Sequence, residues 1–384
     1  MILKKLYGVS PDLDISIGDV PVNYESLGYL ELHLSENQHD MLVLRMVGLP
    51  SQAITDYLDK GVYLSMGTGA SYKQVFCGYV TDVRPKSVTG QGFINDSPFQ
   101  EADVVCLGAS YMMRGKKSKN WTGYRLSEVV EEMSSHYGFS ADVPNYEPAS
   151  GTLTQTNESD WQFLVRYSNL LGLSINAHGT HVHVYDPYKS VGRQSSYHRL
   201  TTVAANRGDI SPTPGQVLSF DGSFARRHAD GQYMDTVVAV LSDTLQTYDV
   251  TTKEITRPDN GVPYYENRIS EFANSYEHAI RIMESSNKQD YDYLATVEVL
   301  GVAGCVPGGV VSIDNYNGEF DGFWYVKSVK HKLHSDAFVS ELEIVRNTNS
   351  QLDFYNLESF QTPPTPRYNL GMWKPSKRYV NVYS

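Results

Sequence analysis

The sequence predicts a mainly β fold with α+β insertions: two similar antiparallel β-barrels, a small helix-hairpin module between them, and a helical insertion within the second. Three observations lead there. Strand-length segments with alternating apolar residues fill residues 1–110 and return over 294–346. The two β regions echo each other in sequence. Between them, residues 157–187 switch from helical to strand period.

Residues 1–110 read as the first barrel. Leu30 to Leu34 and Met41 to Val47 alternate, and Gly61 to Ser65 and Gln74 to Val83 follow. The last of these is expected to end at Pro85, whose missing amide ends ladder pairing. Lys86 to Gln100 reads as a loop, Ala102 to Leu107 as a strong strand, and Ser51 to Leu58 as a short helix.

Residues 111–187 read as an α/β module. Arg114, Lys116, Lys117 and Lys119 form a basic run expected to be a solvated loop. Leu126, Val129, Val130 and Met133 mark one face of a helix over Arg125 to His136, stopped by Gly138. Trp161, Leu164, Val165, Ser168 and Leu171 mark a second helix, capped by Asn157 or Ser159 and ended by Gly172. Leu173 to His178 and His181 to Tyr185 then form a hairpin across Gly179-Thr180, ending at Asp186-Pro187.

Residues 188–241 and 291–348 return to β character and read as the second barrel, with Val217 to Phe224 and Thr236 to Leu241 as strands of its first part. Residues 242–290 read as its helical insertion, with a helix over Glu266 to Asn287. Residues 349–384 read as an extended arm: Thr362-Pro363-Pro364-Thr365-Pro366 is stiff, and Tyr368, Trp373 and Tyr379 suit packing on a neighbouring chain.

The echo between the barrels pairs Gly61-Val62-Tyr63 with Gly309-Val310-Val311. It pairs Gly78-Tyr79-Val80-Thr81-Asp82-Val83 with Trp324-Tyr325-Val326-Lys327-Ser328-Val329, and Ala102 to Leu107 with Val339 to Ile344.

Composition narrows the function. A formal net charge of -12 removes the basic footprint of a nucleic-acid binder. The 28 Tyr against 13 Phe suit β-rich surfaces and interfaces. Cys77, Cys106 and Cys305 have neither disulfide-framework nor zinc spacing, and each lies in apolar strand context that reads as core. No secretory leader is visible, and no apolar run approaches membrane-spanning length, so no membrane insertion is expected.

The order of barrel, Ser159-Asp160-Trp161 helix, hairpin ending in Tyr185-Asp186-Pro187, and strand Gly322-Phe323-Trp324-Tyr325-Val326 through His331 resembles the phage late control D and baseplate hub proteins. It is also similar to the hub part of type VI secretion spike proteins. The resemblance covers residues 1–348. It implies tail-tube-like barrels, a homotrimer forming a pseudo-six-fold ring around a channel, and an adaptor between a six-fold tail tube and a three-fold spike or tip. The implied partners are further copies of the chain, a tail tube protein, a central spike or tip protein and a tape measure protein, with genomic DNA as passing cargo. The implied location is the virion tail or baseplate, assembled in the host cytoplasm. Tyr79, Trp324 and Tyr325, with Tyr368, Trp373 and Tyr379 of the arm, are the expected interface residues.

Chemistry is expected to be absent, with no cofactor. The sharpest alternative is a metal-dependent hydrolase, since hairpin pairing of His178 with His181 places His178, His181 and His183 on one face. Ile175, Ala177, Val182 and Val184 on the other face favour a polar outer surface instead. Gly67-Thr68-Gly69 lacks a third glycine, and no Gly-x-Ser-x-Gly elbow occurs. A glycan- or receptor-binding tip is a further alternative, suggested by the Tyr and Trp content.

Overall fold

The computed structural model describes residues 11–48, 55–67, 72–87, 93–94, 97–98, 100–144, 152–187, 198–202, 213–224, 236–241, 244–249, 255–256, 291, 293–314, 316, 320–334 and 337–346. The helix expected over 266–287 and the arm at 349–384 lie outside them.

The first unit is built from β1 (Asp12–Ile17), β2 (Val20–Pro21), β3 (Leu27–Ser35), β4 (Met41–Val47), β5 (Gly61–Gly67), β6 (Lys73–Ser87) and β9 (Gln100–Gly108). A minor hairpin of β7 (Phe93–Ile94) and β8 (Ser97–Pro98) lies between the last two. Of the short helix expected at 51–58, residues 51–54 lie outside the described residues, and the described part holds a 3-10 turn, Thr55–Tyr57. β6 runs through Pro85 rather than ending there. Among the described residues its second half pairs with β9 alone, so the missing proline amide breaks no second ladder there.

The module follows: β10 (Lys116–Thr122), α1 (Leu126–His136), β11 (Ser140–Asp142), β12 (Thr152–Ser159), α2 (Asp160–Leu170), β13 (Ser174–His178) and β14 (His181–Tyr185). The lysines of the basic run lie on a strand, not a loop, and Arg114 ends the 3-10 segment before it. β10 pairs with β12, Lys117 reaches Asp160 at 2.7 Å, and Lys119 reaches Glu132 at 2.6 Å. Ser159 caps α2, its hydroxyl accepting from the Gln162 amide at 3.1 Å while the Gln162 side chain accepts from the Ser159 amide at 3.1 Å. Gly172 ends α2 at φ 71°. Trp121, Trp161, Phe163, Val129 and Val130 share the module core with Ile175 and Val182 of the hairpin.

The second unit contains β15 (His198–Thr201), β16 (Val217–Phe224), β20 (Tyr293–Leu300), β21 (Val310–Asp314), β22 (Gly322–Leu333) and β23 (Phe338–Arg346). β17 (Thr236–Leu241) pairs with β18 (Thr244–Asp249), and β18 with β19 (Ile255–Thr256), in a separate sheet. Thr236–Leu241 therefore sits outside the sheet of the second unit, and the segment read as a helical insertion contains strands β18 and β19.

The two units have one topology. Their spatial orders are β1-β5-β6-β9-β4-β3 and β15-β21-β22-β23-β20-β16, and each strand takes the same place in chain order. Register agrees as well. The row Leu30, Leu44, Val104, Val83 across the first sheet matches Phe220, Val297, Leu342, Val329 across the second. Bulges coincide. One lies between Leu27 and Tyr29 and again between Val217 and Ser219; the other lies between Val80 and Asp82 and again between Val326 and Ser328. The units differ in their first pairing, antiparallel for β1 with β5 and parallel for β15 with β21. A bridge from Thr201 to Gln216 brings β15 to the start of β16 and draws the second unit towards closure. Antiparallel pairing of β22 with β3 joins both units into one 13-stranded sheet.

Candidate functional site

The turn between β3 and β4, residues 36–40, is where the module meets both units. A turn connecting two core strands has little freedom, and here the polar groups of Glu36, Asn37, His39 and Asp40 are used, while Gln38 is exposed. Asn37 adopts φ 59°, a left-handed conformation that asparagine tolerates better than most residues. Its amide donates to the Ile175 carbonyl at 2.8 Å, and its side-chain oxygen accepts from the Ile175 amide at 3.1 Å. Asp40 binds the His178 ring at 3.0 Å, and its carbonyl accepts from the Gly108 amide at 2.7 Å. The His39 ring contacts the Ser110 hydroxyl at 2.9 Å and packs on Trp161 at 5.3 Å between centroids. Burial lowers its pKa to about 4, so it is neutral at physiological pH.

Glu36 is the centre of this junction. Its carboxylate is buried and accepts from the hydroxyls of Tyr185 at 2.5 Å, Ser174 at 3.3 Å, and Tyr325. Those partners come from β14, β13 and β22, so one side chain ties the first unit, the module and the second unit together. Burial pushes its pKa up to about 7, against the hydrogen bond from Tyr185 and the Lys327 charge. Tyr185, Val310, Tyr325 and Val345 pack as a small apolar cluster beside it. Gly308 completes the wall at φ 82°, where a Cβ would lie 2.8 Å from the Tyr185 hydroxyl.

Trp324 and Tyr325, expected at a seam between subunits, are buried inside the chain at 0% and 3% exposure. Trp324 fills the second core, stacked on Phe320 at 6.4 Å with Arg346 4.5 Å from its ring. Tyr325 is spent on Glu36. Tyr79 is half-buried on β6, while Tyr368, Trp373 and Tyr379 lie outside the described residues. The three cysteines are free and buried, and burial pushes the Cys77 and Cys305 thiols up to about 12.

The histidine hairpin has the expected register, His178 opposite His181. Its three rings do not converge. His178 turns to Asp40, while His181 and His183 gather with Asp142, their ligand atoms within 4.8 Å of one another. Asp142 arrives on β11, which pairs parallel with β14, and its carboxylate contacts His183 at 3.2 Å. Burial lowers the pKa of His181 and of His183, and Asp142 opposes both shifts. Two imidazoles and a carboxylate so placed can hold a divalent cation.

The architecture is a duplicated six-strand unit, joined edge to edge and carrying a helix-hairpin module on the joint. Solved structures share this architecture. A tail protein of prophage MuSo2 from Shewanella oneidensis superimposes with a TM-score of 0.61 at 12% identity, covering 88% of this chain and 98% of that one. A tail protein from Neisseria meningitidis gives 0.60 at 12% identity, with 88% and 97% covered. A type VI secretion component from E. coli, described as structurally similar to T4 bacteriophage tail proteins, gives 0.55 at 11% identity, with 87% and 77% covered. The chain thus has the fold of these tail proteins. A family model described as the Alg8 N-terminal domain matches residues 60–199. That span begins at the edge of β5 and ends inside β15, so it coincides with no folding unit. No curated protein matches the chain in sequence.

Proposed function

We propose that the protein is a structural component of a phage tail or baseplate, a homotrimeric hub whose six barrel units form a pseudo-six-fold ring. The observation that carries this reading is the duplication: two units with one strand order, one register and the same two bulges within a single chain. Two quasi-equivalent units per chain let three copies meet a six-fold tube on one side and a three-fold spike on the other. The negative charge suits a channel wall along which DNA slides without binding. Partners in this reading are a tail tube protein and a spike or tip protein, within the virion. Native mass measurement together with negative-stain imaging tests it. A trimer seen as a ring with a hole is expected, and a stable monomer at high concentration overturns the reading.

The Asp142, His181 and His183 cluster favours a second reading, a divalent-cation site on the module. Stoichiometric zinc in the purified protein, lost in His183→Ala, would establish it. Metal-free protein that also takes up no zinc on titration would dismiss it.

A further inference from the structure

The joint between the two units is a strand pairing with a missing counterpart. β22 is long: Gly322–Tyr325 pairs with β21, and Ser328–Leu333 pairs with β3 on the same side. Its equivalent in the first unit, β6, has the same design, with Lys73–Tyr79 on β5. Beyond its bulge, Asp82–Ser87 carries β9 on one edge and, among the described residues, no strand on the other. The equivalent of β3 is β16. It carries β20 on one edge and, among the described residues, no ladder on the other. Each chain therefore makes one joint and holds both halves of another.

Side chains tell the same story. Leu34, covered by the β22–β3 joint, is 1% exposed; Phe224, its equivalent on β16, is 43% exposed, and Leu218 at the bulge is 48% exposed. An edge strand presenting large apolar side chains is a template for pairing unless something covers it. Charges also correspond. In the joint already made, Lys332 stands opposite Glu31. Lys332 binds Glu341 at 2.5 Å, as its equivalent Lys86 binds Asp103 at 2.6 Å. Carried through the shared register, Lys86 falls opposite Asp221.

We propose that the open edge of β6 receives β16 of a second copy of this chain in antiparallel pairing. Val83 then lies opposite Phe224, Arg84 opposite Ser223, Pro85 opposite Gly222 and Lys86 opposite Asp221. Pro85 has no amide, so this ladder has one donor fewer than the joint within the chain. The contact is head-to-tail, and it closes when the rotations of successive copies add to a full turn. The inference rests on the trimeric reading and adds to it a specific seam.

The test is an engineered disulfide in the full chain, Arg84→Cys with Ser223→Cys. Both positions are exposed in the single chain. Opposed residues of an antiparallel pair lie about 4.5–5.5 Å apart between Cα atoms, within disulfide reach. Mild oxidation is expected to give covalent dimers and trimers under denaturing electrophoresis, and nothing larger. Either single variant, and the out-of-register pair Arg84→Cys with Ser219→Cys, should stay uncrosslinked. A trimer by native mass that fails to crosslink overturns the seam and leaves the trimer standing. Adducts larger than three copies keep the seam and overturn the trimer. Equal crosslinking of the out-of-register pair overturns the register. A monomer overturns seam and trimer together. Phe224→Asp gives an independent check: assembly should be lost with an unchanged circular dichroism spectrum, and wild-type assembly would refute the pairing.

Discussion

Replacing Glu36 with glutamine should make the protein more stable at pH 8 and leave it little changed at pH 4.5. The carboxyl titrates near 7 in the folded chain against an ordinary value of 4.5. A native state that holds a proton longer than the unfolded state has its full stability below pH 4.5. It loses stability as pH rises from 4.5 to 7 and stays at the lower level above. A separation of about 2.5 pKa units corresponds to about 3 kcal/mol. Glutamine keeps an oxygen for the Tyr185 and Tyr325 hydroxyls, places an amide towards Ser174, and cannot ionise. His39 and His331 act in the opposite sense. Burial lowers both from the ordinary 6.5 to about 4, so their contribution is full above 6.5 and is lost as pH falls from there through about 4. The wild-type profile alone can therefore look flat, and the variant-minus-wild-type difference is the quantity to read. Urea unfolding followed by tryptophan fluorescence across pH 4.5 to 8 supplies it, and the difference should grow by about 3 kcal/mol in favour of glutamine. A difference that stays flat within about 1 kcal/mol, or a variant weaker than wild type at pH 8, refutes the assigned role of burial at Glu36.

Other outcomes follow from single contacts. Ser159→Ala removes the cap of α2 and should destabilise the module by about 1 kcal/mol, measured by urea unfolding. Gly78→Ala should destabilise the first unit by more than about 2 kcal/mol, because the new Cβ would lie 2.1 Å from the Leu107 carbonyl oxygen. Gly115→Ala, with nothing within 4 Å of its Cβ, is the control, and faster proteolysis of the first variant alone is expected. Asn37→Ala should be weaker than Asn37→Gly by about 1 kcal/mol in thermal unfolding. Both lose the side-chain bond from the Ile175 amide, but only alanine is strained at φ 59°.

Local features were legible in the sequence and long-range ones were not. The face of α2, its Ser159 cap, its Gly172 stop and the pairing of His178 with His181 all depend on residues a few positions apart. The turn at 36–40 carries no such signal. Glu36 meets Ser174, Tyr185 and Tyr325, each more than 130 residues away, and in sequence it belongs to an ordinary polar turn. Asp142 escaped for the same reason, since only the parallel pairing of β11 with β14 brings it to His183. Trp324 and Tyr325 were legible as strand aromatics, but the strand period does not say whether an aromatic fills its own core or a neighbour's surface.

The internal repeat has a sharper lesson. Matched on glycine identity, Gly61 aligns with Gly309, and Leu107 with Ile344. The ladders place both one residue further on: Tyr79 faces Gly61 and Leu107, while Tyr325 faces Val310 and Val345. A shift of one residue exchanges the two faces of a sheet, so an alignment wrong by one is wrong about every side chain in that strand. Backbone devices are better markers. Asp59 at φ 61° donates to the Val80 carbonyl, as Gly308 at φ 82° donates to the Val326 carbonyl, and the bulges fall at Thr81 and Lys327. Side chains at equivalent places have meanwhile diverged completely, as Gly78 and Trp324 illustrate. Gly78 lets β9 approach closely, and Trp324 fills a core with Phe220, Phe320 and Tyr293. What the two units share is a set of backbone positions at which another strand can be added. Strand addition is set by backbone amides and carbonyls, so a joint made at one of those positions is the best guide to what the other one binds.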